Sequence, residues 1–349
     1  MTQRTLAGLI ALPLVIALIA VAWFVPLPFT IYSPGPTVNI LGTYDGSPIV
    51  TVKGHKIYRD SGELRMTTVS ETTREAHLGL WELMAAWIGR DDAIYPHAVA
   101  YPSGGTVQSD EEEGAVQMAT AQDSAIAAAL TELDYHVGTV VSVAAVEKGS
   151  PAAGVLKTGD VIKRVDGTAV ATADAAVKAV RRADPGDTIR LRIKRDGTIR
   201  TVEVTAGTND GHAYLGVSLG ESYTFPFKVS ININSAIGGP SAGLMMALSI
   251  YDTLTPGSLT DGQHVAGTGT MDADGTVGAI GGIQQKIPGA MHDGAKLFLV
   301  PAANCQDVSG ADHGSMRLVK VSTLDDALSA ITTWTKDHDA TLPSCGSNS

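Results

Sequence analysis

The 349-residue chain carries 36 acidic against 25 basic residues, a formal charge of −11, which argues against broad attraction to phosphate backbones and so against nucleic acid as a partner. Aromatic residues at 5% and 38 glycines favour a turn-rich fold of many short strands over a helical bundle. The length allows two compact domains and a further short segment.

No charged residue occurs from Thr5 through Tyr44. About 20 apolar residues suffice to cross the hydrocarbon layer, so residues 1–29 are expected to form a cytoplasmic tip and a transmembrane helix. Arg4 and the amino terminus are the only positive charges before the run, and the next lysine is Lys53. The positive-inside bias then leaves the amino terminus in the cytoplasm and everything after about residue 28 outside, a single-pass protein of the cell membrane with an extracytoplasmic body. Ala20-Val21-Ala22 fits a small-x-small cleavage site, and a removed signal peptide is the competing reading. Apolar character through Trp23, Phe24, Val25, Leu27 and Phe29 favours the anchor.

Pro26, Pro28, Pro34 and Pro36 predict a stiff, helix-free neck, followed by strands near 49–52 and 64–69 and a helix over 78–88. Met118, Ala121, Gln122, Ala125, Ile126, Ala129, Leu130 and Leu133 recur at steps of three and four, which predicts a second helix with one apolar face. The acidic run 109–113 before it suits the positive end of a helix dipole and reads as a solvated helix entry rather than a metal site.

From Gly138 the pattern changes. Val141 and Val143 alternate, Gly149-Ser150-Pro151-Ala152, Gly159-Asp160-Val161-Ile162 and Val165-Asp166-Gly167 follow, and a short helix is expected over 173–182. Ile189, Leu191 and Ile193 alternate, Asp196-Gly197 predicts a tight hairpin turn, and Val202 and Val204 resume the alternation. This run resembles the PDZ domains of bacterial envelope proteases, with residues 135–208 as the domain. A PDZ domain takes up an extended peptide at an open sheet edge. The loop expected to cradle the peptide end is Tyr135-His136-Val137-Gly138, which lacks a GLGF-like pattern and so favours an extended segment over a free carboxyl terminus.

Two further constellations carry chemistry. Gly238-Gly239-Pro240-Ser241-Ala242-Gly243 stands between a strand-like 229–234 and apolar Leu244, Met245 and Leu248 at helical spacing. Pro240 suits a first helical turn, which places Ser241 at a helix amino end whose N–H groups can face developing negative charge. Downstream lies Gly278-Ala279-Ile280-Gly281-Gly282-Ile283-Gln284-Gln285-Lys286, where a lysine among isoleucines loses its charge more readily than an exposed one. Alone, Ser241 reads as a helix cap and Lys286 as a surface lysine.

Together the motifs, with Phe298-Leu299-Val300-Pro301 beyond them, resemble the proteolytic domain of the Lon family (S16), and the whole chain is similar to bacterial membrane-anchored, PDZ-containing Lon-like peptidases. The resemblance implies a Ser241–Lys286 dyad, with Gly239, Pro240 and Ala242 around the oxyanion and Thr270 and Asp272 as supporting candidates. It implies an α+β fold in which residues 30–134 and 209–335 together form the catalytic domain, the PDZ domain is inserted between them, and 336–349 is a tail. Many Lon proteases place an aspartate three residues before the nucleophile; Gly238 stands there. Pro288 would interrupt a helix beginning near Lys286. No GxxxxGK[ST] occurs, so neither ATP nor another cofactor is expected, and the substrates implied are flexible or unfolded polypeptides. Lon-like domains also imply homo-oligomers.

Two other readings compete. Gly239-Pro240-Ser241-Ala242-Gly243 satisfies the GxSxG elbow of α/β-hydrolase esterases, with Asp307 and His313 completing the order. A catalytically silent envelope scaffold built on the PDZ domain is the other, although both dyad members are retained. No HExxH and no CxxC occur, so no metal is expected. Cys305 and Cys345 are either a disulfide pinning the tail, in an oxidising compartment, or two unrelated thiols.

Overall fold

The structure, a computed structural model, describes residues 3–59, 61–102 and 104–346, the side chains at 4–6, 20–22 and 24 excepted. The first helix, α1 (Gln3–Phe24), holds Pro13 within it. Among the described residues no helix is long and apolar enough to cross a membrane. This overturns the expected transmembrane span and, with it, the single-pass placement that put the body outside the cell. The small-x-small site at Ala20–Ala22 falls outside the described side chains.

The chain divides into two compact units, one made of Met1–Asp134 with Phe227–Ser349 and the other of Tyr135–Pro226. The first half of the larger unit contributes β1 (Phe29–Pro34), β2 (Val38–Asn39), β3 (Val50–Lys53), β4 (Glu63–Met66) and β5 (Val69–Glu71). Then come α2 (Leu80–Ile88), β6 (Ala93–Pro96), the single turn α3 (His97–Ala100) and α4 (Val107–Glu132). The expected stiff neck is in fact strand β1, bounded by Pro28 and Pro34. Helix α4 starts earlier than its apolar face, because Thr106 caps it by accepting from Ser109 N and the acidic run forms its first turns.

The smaller unit is an antiparallel sheet of β7 (Gly138–Val146), β8 (Val161–Val165), β9 (Thr188–Arg195), β10 (Thr198–Thr205) and β11 (Val217–Thr224), ordered β10-β9-β8-β7-β11, with helix α5 (Ala173–Val180). Ile189, Leu191 and Ile193 enter its core on alternate positions of β9. Asp196 and Gly197, at φ of 51° and 78°, turn β9 into β10 as the Asp-Gly pair requires. Buried Asp160 takes both arms of the Arg195 guanidinium at 2.6 Å, and burial, which alone would raise its carboxyl, is outweighed so that it lies below the usual range. Strand β11 extends this unit past the expected boundary at 208, because alternation in 217–224 belongs to the same sheet.

After the smaller unit come β12 (Lys228–Ile231), α6 (Gly243–Leu254), β13 (His264–Gly267), α7 (Ile283–His292), β14 (Leu297–Pro301), β15 (Arg317–Val321) and α8 (Leu324–Lys336). Strand β12 pairs antiparallel with β3. The central sheet is ordered β2-β4-β13-β14-β15; β4, β13, β14 and β15 run parallel and β2 antiparallel. Both sides of the inserted unit therefore build one sheet. All of β14 is buried, as a parallel strand covered on both faces must be. Ala266, Phe298 and Val300 pack against Ile283, Ile287 and Ala290 of α7. On the other face Gly267 approaches Met245 of α6 and Leu299. This is a mixed α/β layer rather than segregated α+β. A second, antiparallel sheet is ordered β5-β1-β6.

Candidate active site

Ser241 lies in a turn just ahead of α6, whose N-cap is Ala242; Pro240 O accepts from Gly243 N at 3.3 Å, so Pro240 closes the turn instead of occupying the first helical position expected for it. The backbone on either side is fixed by close approach. Gly239, at φ 88°, donates to Gly114 O of α4 at 3.1 Å, and a Cβ on Gly238 would meet Gly114 Cα at 3.1 Å. On the far side a Cβ on Gly243 would meet Met271 N at 2.7 Å. The Ser241 carbonyl is held by two donors, Gly269 N at 2.9 Å and Thr268 Oγ1 at 3.0 Å.

Lys286 sits in the first turn of α7 and is 3% exposed. Burial lowers its ammonium from 10.5 to about 8, with no charged neighbour contributing. Its Nζ donates to Thr268 Oγ1 at 3.2 Å. The single Thr268 hydroxyl proton is given to the Ser241 carbonyl, so the threonine oxygen can only accept from Lys286. One buried hydroxyl thus links the two residues. Pro288 does not break the helix: α7 runs on to His292, and the carbonyl a proline leaves without a partner four residues back is that of exposed Gln284.

Helix α7 is pinned at both ends. Buried Asn304 pairs with both backbone groups of Ile280, Oδ1 accepting from N and Nδ2 donating to O at 2.9 Å, just before the helix begins. At the other end Asp293 accepts from Thr37 N at 3.0 Å and Oγ1 at 2.6 Å; burial opposes ionisation, but Thr37 and Arg65 hold the carboxyl below its ordinary range. Cys305, next to Asn304, is bonded to Cys345.

Ser241 and Lys286 line one cleft of about 920 Å³, with Gly238, Gly239 and Ala242 on the same wall. Thr270 and Asp272 do not reach it. Thr270 pairs with Gly278 in a short hairpin, and exposed Asp272 closes the turn of that hairpin. The hydroxyl that meets Lys286 comes instead from buried Thr268, two residues earlier and just past the end of β13. The esterase alternative fails on position: Asp307 accepts from Asn304, His313 Nδ1 faces Met316 O, and neither lines the cleft. Among the described residues no cluster fit for a metal occurs.

The smaller unit has its own cleft, about 230 Å³, between β11 (Val217, Leu219) and α5 (Ala176, Val177, Val180). Strand β11 is the outer strand there, whereas β7 is paired on both sides. Tyr135–Gly138 therefore leads into an interior strand rather than an open edge. Tyr214-Leu215-Gly216 leads into the open edge and lines that cleft, with Gly216 at φ 72°. Its aromatic-apolar-Gly pattern ahead of an alternating strand was the available signal.

Residues 234–333 match the family "Lon protease (S16) C-terminal proteolytic domain". The chain carries a Lon-like serine peptidase domain. Over 93 residues, 26% of this chain, it is 34% identical to a Lon protease of Neorickettsia sennetsu and 37% identical to one of Azospirillum brasilense, covering 11% of each. The chain therefore spans about a tenth of the length of these relatives. Residues 115–206 match the PDZ domain family. A crystal structure of the PDZ domain of an SdrC-like protein from Listeria monocytogenes is similar at 26% identity and a TM-score of 0.22, covering 23% of this chain and 86% of that one. The PDZ match starts inside α4 and stops before β11; sheet hydrogen bonding is the better guide, and it places the domain at Tyr135–Pro226.

At 238, three residues before Ser241, a side chain would crowd the backbone of α4, an added Cβ standing 3.1 Å from Gly114 Cα. Gly238→Asp should lower stability by about 1–3 kcal/mol, seen as a reduced melting temperature, without improving any activity. Lys286 carries a cost of its own. Its folded pKa of about 8 lies below the ordinary 10.5, so the folded state releases the proton first; the penalty is full below about pH 8 and gone above 10.5. Lys286→Met should stabilise the protein by about 3 kcal/mol at pH 7, and denaturant titrations should show that gain fading as pH rises toward 10.5.

Proposed function

We propose that this protein is an ATP-independent endopeptidase in which Ser241 is the nucleophile and Lys286 its general base. The carrying observation is the chain from the buried Lys286 amine through Thr268 to the Ser241 carbonyl, at 3.2 and 3.0 Å, on the wall of a single cleft. An amine that ionises near 8 has a usable neutral fraction at neutral pH, which an exposed lysine lacks.

Neutral Lys286 takes the Ser241 proton as the hydroxyl attacks a peptide carbonyl. Backbone N–H groups at the amino end of α6, Ser241 and Ala242 among them, hold the oxyanion. Lys286 then gives the proton to the leaving amine, and a water activated by the same amine releases the acyl group. Thr268 fixes the amine by accepting one N–H, which leaves the nitrogen lone pair for Ser241. Cleft walls of Ile49, Met66, Val69, Met118 and Ile237 suit extended, apolar stretches of flexible or unfolded polypeptide. The PDZ domain docks an extended segment along the β11 edge.

Proteolysis of an unstructured protein tests the reading: Ser241→Ala and Lys286→Ala should each lose at least about 10³-fold in kcat/KM. Equal cutting by all three proteins would refute the dyad, and an inactive parent would favour the silent scaffold. In the active enzyme the rate should climb about tenfold per pH unit below about 8 and level above it; a flat profile from pH 5 to 9 rules out a lysine base. Thr268→Val should cost roughly 10–100-fold and move that rising limb to lower pH, because it removes an acceptor that favours the ammonium.

A further inference from the structure

Strand β5 is the outer strand of the β5-β1-β6 sheet, and Val69, Ser70 and Glu71 all line the cleft that holds Ser241 and Lys286. Its start is set against the site: a Cβ added to Gly282, the residue capping α7, would meet Val69 Cγ2 at 2.8 Å. From Val69 the strand runs about 7 Å to Glu71, and the two share a face because strand side chains alternate. An open strand edge beside a nucleophile accepts an extended polypeptide by main-chain hydrogen bonds.

Among the described residues, Glu71 and Lys286 are the two charged side chains on the cleft wall. Lys286 is buried whereas Glu71 is exposed, so the charged group that a bound chain meets at the cleft surface is the Glu71 side chain. Tyr32 donates its hydroxyl to Glu71 Oε1 at 2.6 Å; burial and this carboxylate push the phenol above its ordinary range, which keeps it protonated. The Tyr95 ring stands edge-on to Tyr32 with centroids 5.2 Å apart, and both rings line the cleft. Arg74, on the loop beyond β5, is committed to Asp110 through two hydrogen bonds of 2.8 and 2.9 Å. A carboxylate beside tyrosine rings is suited to an ammonium or guanidinium: the charge pairs on one side and the ring faces take the other.

We propose that substrate docks as an added strand along β5 and that Glu71, with Tyr32 and Tyr95, selects a lysine or arginine side chain about two residues from the scissile bond. The inference rests on the peptidase reading of the cleft. Opposite charges across neighbouring strands supply the selection, and the apolar walls accept the flanking residues.

The full chain is incubated with an unstructured protein and the cuts are mapped by mass spectrometry. Basic residues should be enriched roughly five- to tenfold at one fixed position beside the cut. Glu71→Gln, which keeps an acceptor for Tyr32, should flatten that enrichment, and Glu71→Lys should replace it with acidic residues. No enrichment, or enrichment unchanged in Glu71→Gln, overturns the inference. In parallel, Ser241→Ala is titrated with paired fluorescent peptides that differ only in lysine against norleucine. The lysine peptide should bind roughly five- to tenfold tighter, a ratio that falls to about one when Glu71→Gln is added. If that ratio is found while the parent protein cuts nothing, docking stands and hydrolysis fails; if cutting is robust and the peptides bind equally, selection by Glu71 fails and the peptidase stands.

Discussion

A dry amine is the constraint on which the rest of the site depends. Lys286 has no carboxylate beside it, and its lowered pKa comes from burial alone. The surrounding protein must therefore exclude water from one side of a helix that also has to open onto a cleft. That is achieved by laying α7 on the central sheet, with Ile283, Ile287 and Ala290 packed on Ala266, Phe298 and Val300. The clamps at Ile280 and Asp293 keep the helix from drifting. Because Thr37, Arg65 and β4 come from before the PDZ domain, the helix that carries Lys286 is held by segments on both sides of that insertion.

Ser241 is placed by a different rule, the absence of side chains around it. Gly238 passes over Gly114, a glycine in the interior of α4 where helix propensity alone would disfavour it by about 1 kcal/mol. Gly243 lets α6 approach Met271, and Gly269 lets its own backbone approach Val277 and Leu244 of α6. The Ser241 carbonyl then meets its two donors without adjustment. What the motif GGPSAG encodes is thus mostly backbone proximity, with one reactive hydroxyl among residues selected for being small.

How much of this could be read in the sequence follows from the range of each interaction. Alternation in β9 and β10, the Asp196-Gly197 turn and the apolar face of α4 are local patterns, and each was legible. Ser241 and Lys286 stood out through motifs rather than through chemistry each shows alone. Thr268 was passed over for Thr270 because the two are near neighbours in the chain, and only the turn at the end of β13 decides which hydroxyl faces Lys286. Asn304 was equally hidden, its partner Ile280 lying 24 positions away. The loop Tyr135–Gly138, expected beside an open edge, leads into an interior strand, because a strand's order within its sheet decides which edge is open and that order is not a local property. The stretch at the amino end was read as a span from its length, its lack of charge and the flanking positive charges, whereas among the described residues no helix is long and apolar enough to cross a membrane.

Without an acid partner, base strength here is tied to water. In a dyad oriented by a carboxylate the partner's charge would fix the protonation of the base whether or not the cleft is filled. Lys286 has only burial and one neutral hydroxyl, so its pKa responds to whatever occupies the cleft beside Ser241. A polypeptide seated there displaces solvent from that side and disfavours the ammonium further. In the proposed dyad the neutral amine would then be most abundant with a polypeptide in place, so the desolvation that costs stability in the free protein would be what supplies it.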